Sequence, residues 1–235
     1  MLHFEPFHRR VLDAALQVCD QYGLCLMGGY SIQAHGLVER PSKDLDFAAS
    51  CDLPLEDVRR GVTDAFTSAG LDVTWLESSS WMARLMVTDP SGADFCEVDL
   101  LKEALQKPPV KIEEIPVVHL DDAIGLKIRA LHARSVTRDY IDAAAAGKLL
   151  PFRELERLAR QHTECFSPRS LVENLEVVEG LPLREFDEYG LDDEQIREVY
   201  RFALAWADEI KQRRFADGDA DSDYEPDTVE ALYED

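Results

Sequence analysis

Asp44 and Asp46 stand one residue apart in the stretch Arg40-Pro41-Ser42-Lys43-Asp44-Leu45-Asp46-Phe47. On a strand, residues i and i+2 point to the same face, so the two carboxylates converge while Leu45 turns to the core. Two like charges that close repel unless a cation sits between them. Mg²⁺ suits the pair, being a hard ion that takes one or two carboxylates together with phosphate oxygens. An exposed strand end bearing two solvated acids is the plain alternative. Asp99 weighs against it. In Cys96-Glu97-Val98-Asp99-Leu100-Leu101, Cys96, Val98 and Leu100 take one face, Glu97 and Asp99 the other. A carboxylate in the middle of an apolar strand needs a partner. A metal shared by Asp44, Asp46 and Asp99 supplies one, with Glu97 in reserve. Three carboxylates can hold two ions, one activating an attacking hydroxyl and one neutralising a departing pyrophosphate.

Gly28-Gly29 follows the apolar run Leu24-Cys25-Leu26-Met27, about sixteen residues before Asp44. A strand that enters a glycine turn and then a short helix presents backbone N–H groups to a triphosphate. Ser31 adds a hydroxyl at the helix start. Arg40 and Lys43 flank the acidic pair, as phosphate contacts or as plain surface charge, and Ser42 is a hydroxyl close to the metal. His35 reads as a satisfied histidine at a helix end. Trp75, Trp81 and Trp206 read as core or half-buried aromatics.

The elements that must carry these residues follow from apolar spacing. Helices are expected over 8–22, 30–35 and 54–69, and strands over 24–27, 45–49, 72–76, 83–88, 95–101 and 115–119. Gly23 is a C-cap candidate, and Ser91-Gly92 a turn. From residue 121 the strand signal stops, and helices are expected over 121–133, 137–147, 151–163, 168–177 and 192–213, the first capped by Asp121-Asp122. The fold class is therefore α+β: a small mixed sheet flanked by helices over 1–120, a helical bundle over 121–214 that completes the site, and an acidic, flexible tail over 215–235. Lys127, carried on the first of these helices toward the sheet, reaches a triphosphate as a point charge. On the next helix Arg138, Asp139 and Asp142 share one edge, as an ion-pair cluster or as part of the site.

Composition bounds the rest. The net charge is −22, and the tail's nine acids leave thirteen of those charges on the remaining chain. Such acidity argues against broad nucleic-acid binding but leaves room for a locally basic groove. It also suits a cationic small substrate or a basic protein partner. No stretch has the length of a membrane span, no secretory leader is read, and five singly spaced cysteines suit a reducing cytoplasm.

Gly28-Gly29-Tyr30-Ser31, the R-P-S-K-D-L-D-F stretch and the later Asp99 together resemble the nucleotidyltransferase superfamily related to DNA polymerase β. Lys127-Ile128-Arg129 followed by Arg138-Asp139-Tyr140-Ile141-Asp142 narrows the resemblance to the AbiEii/MenT-type toxins, over roughly residues 24–145. The resemblance implies Mg²⁺ or Mn²⁺ with an NTP as substrate, an RNA acceptor such as the tRNA 3′ end, and a cognate antitoxin. It favours Lys127 as a phosphate ligand, and Asp139 as the residue that orients Lys127 or takes a proton. Antibiotic nucleotidyltransferases, acting on aminoglycosides or lincosamides, share the glycine and D-x-D pattern and are the enzymatic alternative. A catalytically inactive binding module of the same fold is the other.

Overall fold

A computed structural model describes residues 2–216. Seven strands form one mixed sheet in the order β3-β4-β5-β2-β1-β7-β6. They are β1 (Leu24–Met27), β2 (Asp44–Ala49), β3 (Asp72–Ser78), β4 (Met82–Thr88), β5 (Phe95–Lys102), β6 (Val110–Ile112) and β7 (Ile115–Val117). The pairs β1–β7 and β2–β5 are parallel; the other neighbours are antiparallel.

Strict alternation gives the sheet two chemistries. Leu45, Phe47, Leu85, Val98 and Leu100 point to one face. There they pack under α1 (Pro6–Tyr22) and α3 (Leu55–Ser68), which contribute Val11, Leu12, Val58, Val62 and Phe66. On the opposite face, Cys25, Met27 and Ala48 are covered by Ile32 of α2 (Gly28–Ala34) and by Ala123 and Leu126 of α4 (Leu120–Ala133). The cover stops short of β4 and β5, which leaves a cleft.

The remaining helices are α5 (Thr137–Gly147), α6 (Phe152–Arg160), α7 (Pro168–Glu176), α8 (Leu183–Asp187) and α9 (Asp193–Ala216), with a 3-10 turn at Val177–Gly180. They pack on α4 around Trp206, Tyr140 and Phe186.

Several expectations need correction. The chain enters α2 directly at Gly28, whose φ of +64° makes the sharp change of direction that an intervening turn was expected to supply. β6 was not foreseen: its hairpin with β7 turns on Glu113 and Glu114, at φ 48° and 66°, without the Asn or Gly usual in such turns. The N-cap of α4 is His119, whose Nδ1 accepts from Asp121 N–H at 3.1 Å. Asp122 instead accepts from the backbone N–H groups of Gln106 and Lys107 at 2.9 and 3.0 Å, tying the loop after β5 to α4. Trp206 is buried and Trp75, 45% exposed, is half-buried, both as expected, but Trp81 is 59% exposed. Residues 217–235, most of the expected acidic tail, lie outside the described residues.

Gly125 sets how closely α4 and α6 approach. A Cβ there would meet the Leu158 carbonyl oxygen at 2.7 Å and His162 Cδ2 at 2.6 Å. Alanine gains about 1 kcal/mol over glycine in a helix interior, whereas overpacking against fixed backbone costs about 1–3 kcal/mol. Gly125→Ala is therefore expected to lower the urea midpoint, while Gly180→Ala, with nothing within 4 Å of its Cβ, leaves it unchanged.

Candidate active site

The cleft is a cavity of about 490 Å³ between the open sheet face and α4. Its floor is set by register. Arg84 of β4 pairs with Asp99 of β5, and Asp99 with Asp46 of β2, so the three lie in one row across the sheet. The neighbouring row is Met86, Glu97 and Asp44. The three expected carboxylates thus share one face of two adjacent strands, and all three line the cavity.

Each is already engaged, or crowded by neighbouring carboxylates. Arg84 donates to both oxygens of Asp99, Nε to Oδ1 at 2.8 Å and Nη2 to Oδ2 at 2.7 Å, and its Nε lies 3.3 Å from Glu97. Arg138 reaches Asp44 Oδ2 at 3.3 Å, and the Ser42 hydroxyl donates to Asp44 Oδ1 at 3.2 Å. Asp46 has no such cation. Loss of water, followed by the charge of Asp44, pushes its carboxyl up to about 7, against the pull of Lys127 and Arg138. Among the described residues, no three His, Cys, Asp or Glu side chains stand ready as an ion cage. The donor set nevertheless fits a hard divalent ion. It offers carboxylate oxygens, and a cation beside Asp46 would favour the ionised form that desolvation and then the charge of Asp44 now oppose.

Gly28 lies against this floor. A Cβ on it would meet Asp46 Oδ2 at 1.7 Å, and one on Gly29 would meet Ser42 Oγ at 2.3 Å. These two positions admit no side chain while Asp46 and Ser42 keep their places. Ser31 is buried and donates its hydroxyl to Gly28 O at 2.9 Å, so it braces the glycine segment from behind and does not line the cleft. Lys43 also faces away, 57% exposed, pairing with Glu188 at 2.6 Å over the ring of Tyr189. His35 places its ring nitrogen 2.8 Å from Val118 O, the satisfied role expected of it.

The opposite wall is cationic. Lys127, Arg129, Arg134 and Arg138 line it from α4 and the start of α5. Behind them Asp142 has no solvent contact. It takes Arg40 through two bonds of 2.7 Å, Nε to Oδ1 and Nη2 to Oδ2, and Lys127 Nζ at 2.8 Å. Burial alone would raise the Asp142 carboxyl, yet Lys127 and Arg40 together hold it below the usual carboxylate range. Asp139, equally buried, accepts from Arg134 Nε at 2.9 Å on Oδ2. Its Oδ1 has no hydrogen-bond partner, and Lys127 Nζ stands 3.9 Å away. Lys127 thus lies between two buried carboxylates. The expected edge shared by Arg138, Asp139 and Asp142 is divided: Arg138 serves Asp44, Asp139 serves Arg134, and Asp142 serves Arg40 and Lys127.

Sequence reasoning passed over Arg84, whose place opposite Asp99 depends on the β4–β5 register. A larger hollow of about 910 Å³ opens beyond Arg40 between α5 and α9, but none of the three carboxylates lines it.

Removing one partner from a buried ion pair leaves an uncompensated charge and costs about 3–5 kcal/mol. Arg40→Met is expected to lower the unfolding free energy by that order, read from urea denaturation. A change below about 1 kcal/mol would show that Lys127 alone satisfies Asp142.

Comparison with known proteins places this geometry. A family model described as the nucleotidyl transferase AbiEii toxin of type IV toxin–antitoxin systems matches residues 10–232. Among solved structures, JHP933 from Helicobacter pylori aligns with a TM-score of 0.56 at 15% identity, covering 90% of this chain and 95% of that one. A nucleotidyltransferase structure from H. pylori, described there as putative, gives 0.56 at 14% identity, covering 88% and 96%. The nucleotidyltransferase toxin MenT4 from Mycobacterium tuberculosis H37Rv gives 0.52 at 16%, covering 90% and 88%. At these identities the structural likeness shows the fold alone. No curated protein matches the chain. The match over nearly the whole length settles the family: this chain belongs to the AbiEii nucleotidyltransferase toxins.

Proposed function

We propose that the protein transfers a nucleoside monophosphate from an NTP to a hydroxyl of RNA, with the tRNA 3′ end as acceptor, as the toxin of a pair with a cognate antitoxin in the cytoplasm. The observation that carries this reading is the cluster of Asp44, Asp46 and Asp99 on two neighbouring rows of one sheet face, opposite Lys127 across a cleft bordered by Gly28 and Gly29. Asp44, Asp46 and Asp99 are the residues that would hold Mg²⁺, or Mn²⁺, which when bound supplies charge neutralisation at the phosphates and at the attacking oxygen.

The chain's own groups do the positioning. Gly28 and Gly29 let backbone approach the phosphates where a side chain would collide with Asp46 and Ser42. Lys127 offers its ammonium to the triphosphate, steadied by Asp142 and with Asp139 behind it. Arg138 and Arg84, which now neutralise Asp44 and Asp99, become free for phosphate oxygens once those carboxylates take other partners. Transfer then rests on preorganised charge. We place the completion of the site in the helical part after residue 120, because α4 and α5 contribute the cationic wall. That wall favours a polyanionic acceptor over a cationic antibiotic, although the chain as a whole is acidic.

Labelled NTPs incubated with Mg²⁺ and either total cellular RNA or an aminoglycoside panel separate the two enzymatic readings. Label is expected on RNA of tRNA size; label on the drugs alone would sink the toxin reading. Asp44→Asn combined with Asp46→Asn is expected to reduce transfer by about 10²–10³-fold or more while moving the urea midpoint little, because relief of the like-charge contact offsets loss of the partly exposed Arg138–Asp44 pair. Retained transfer in a folded double variant would show that the carboxylate cluster is not the catalytic centre.

A further inference from the structure

Beyond the row of Arg84, Asp99 and Asp46, the cleft face becomes apolar. Met82 of β4 and Leu101 of β5 pair directly across the strands, two residues further along, and both are half-buried on the cavity lining. Two residues on a strand span about 7 Å, a step that a ribose bridges between phosphate and base. Trp81 stands at the end of this shelf, on the same cavity, with 59% of its surface exposed.

Its backbone is pinned. The Trp81 carbonyl accepts from Lys102 N–H at 2.8 Å. Its N–H donates to Ser79 Oγ at 3.3 Å, and the same hydroxyl accepts from Met82 N–H at 3.0 Å. The indole itself makes no ring or cation contact among the described residues. Trp75 differs: the Arg59 guanidinium lies 3.5 Å from its ring centroid, and its Nε1 donates to Thr63 at 3.1 Å. Trp81 is thus a large aromatic face on a pinned backbone, without a ring or cation partner among the described residues, about one ribose from the carboxylates.

We propose that Trp81, backed by Met82 and Leu101, is the stacking platform for a nucleobase whose phosphate lies at the carboxylate row. This rests on the transferase reading of the cleft. The base belongs either to the incoming NTP or to the terminal nucleotide of the RNA acceptor, and every base offers a π face to an indole.

Tryptophan emission, with a second readout from steady-state transfer, tests the proposal. The four NTPs and a short RNA oligonucleotide are titrated separately into wild type, Trp75→Phe and Trp81→Phe, with inorganic tripolyphosphate as the ligand lacking a base. Quenching is expected from at least one base-bearing ligand in wild type and Trp75→Phe. It should be lost in Trp81→Phe and absent with tripolyphosphate throughout. Trp81→Ala is expected to raise one KM by roughly 5- to 150-fold, the range of a single base–aromatic stack, with kcat within about threefold. Trp81→Phe, which keeps a ring, should restore most of that KM. The KM that moves identifies the source of the base. Quenching that persists in Trp81→Phe, or both KM values unchanged in Trp81→Ala, overturns the platform while transfer itself stands. Base-dependent quenching through Trp81 without transfer to RNA or drug supports the platform and instead removes the transferase reading.

Discussion

Asp142 is the constraint on which the site depends. It has no solvent contact, and it binds Arg40 from the segment leading into β2 and Lys127 from α4. A lone carboxylate at that depth would be neutral, so its charge exists only because two cations converge on it. Holding Arg40 fixes the chain just before Asp44 and Asp46. Holding Lys127 fixes the ammonium that faces them. The sheet and the helices are therefore aligned at the site by electrostatic necessity as well as by apolar contact.

Around that anchor the cleft keeps its charges in opposed layers. The sheet presents carboxylates, with Arg84 beside them on the same face paired to Asp99, and α4 and the start of α5 present cations, of which Arg138 crosses the gap to Asp44. Only Asp46 lacks a cation of its own, and it is also the residue against which Gly28 is packed. The point of greatest electrostatic cost therefore coincides with the point of closest backbone approach. On the transferase reading, that is where a bound cation would relieve the most unfavourable charge.

Much of this was legible because period-two and period-3.6 patterns are local. Leu45 between two aspartates, and Asp99 between Val98 and Leu100, announce their faces without any tertiary knowledge. So do the apolar positions of α4 that aim Lys127 inward. Relations between strands were not legible. That Arg84 meets Asp99 follows from the β4–β5 register, and that Arg138 meets Asp44 spans 94 residues. The outward turn of Lys43 was hidden too, because its partner Glu188 lies in the turn after α8, with no pattern pointing back to the sheet. Glu113-Glu114 concealed β6 by making a left-handed turn without turn residues. Trp81 carries the most general lesson: aromatic residues are buried by default, and only the fold shows when one has been left out.

The placement of Asp142 also bears on when, during synthesis, the protein becomes complete. Domains form from the N-terminus as the chain emerges. Asp44, Asp46 and Asp99 all precede the helices that supply Lys127, Arg134 and Arg138. A nascent chain stopped before residue 142 carries the carboxylates and the glycines, but Lys127 without the charge that holds it. The ribosome therefore releases the acidic half of the cleft first and its cationic half later. The finished cleft forms only after residue 142 has been made.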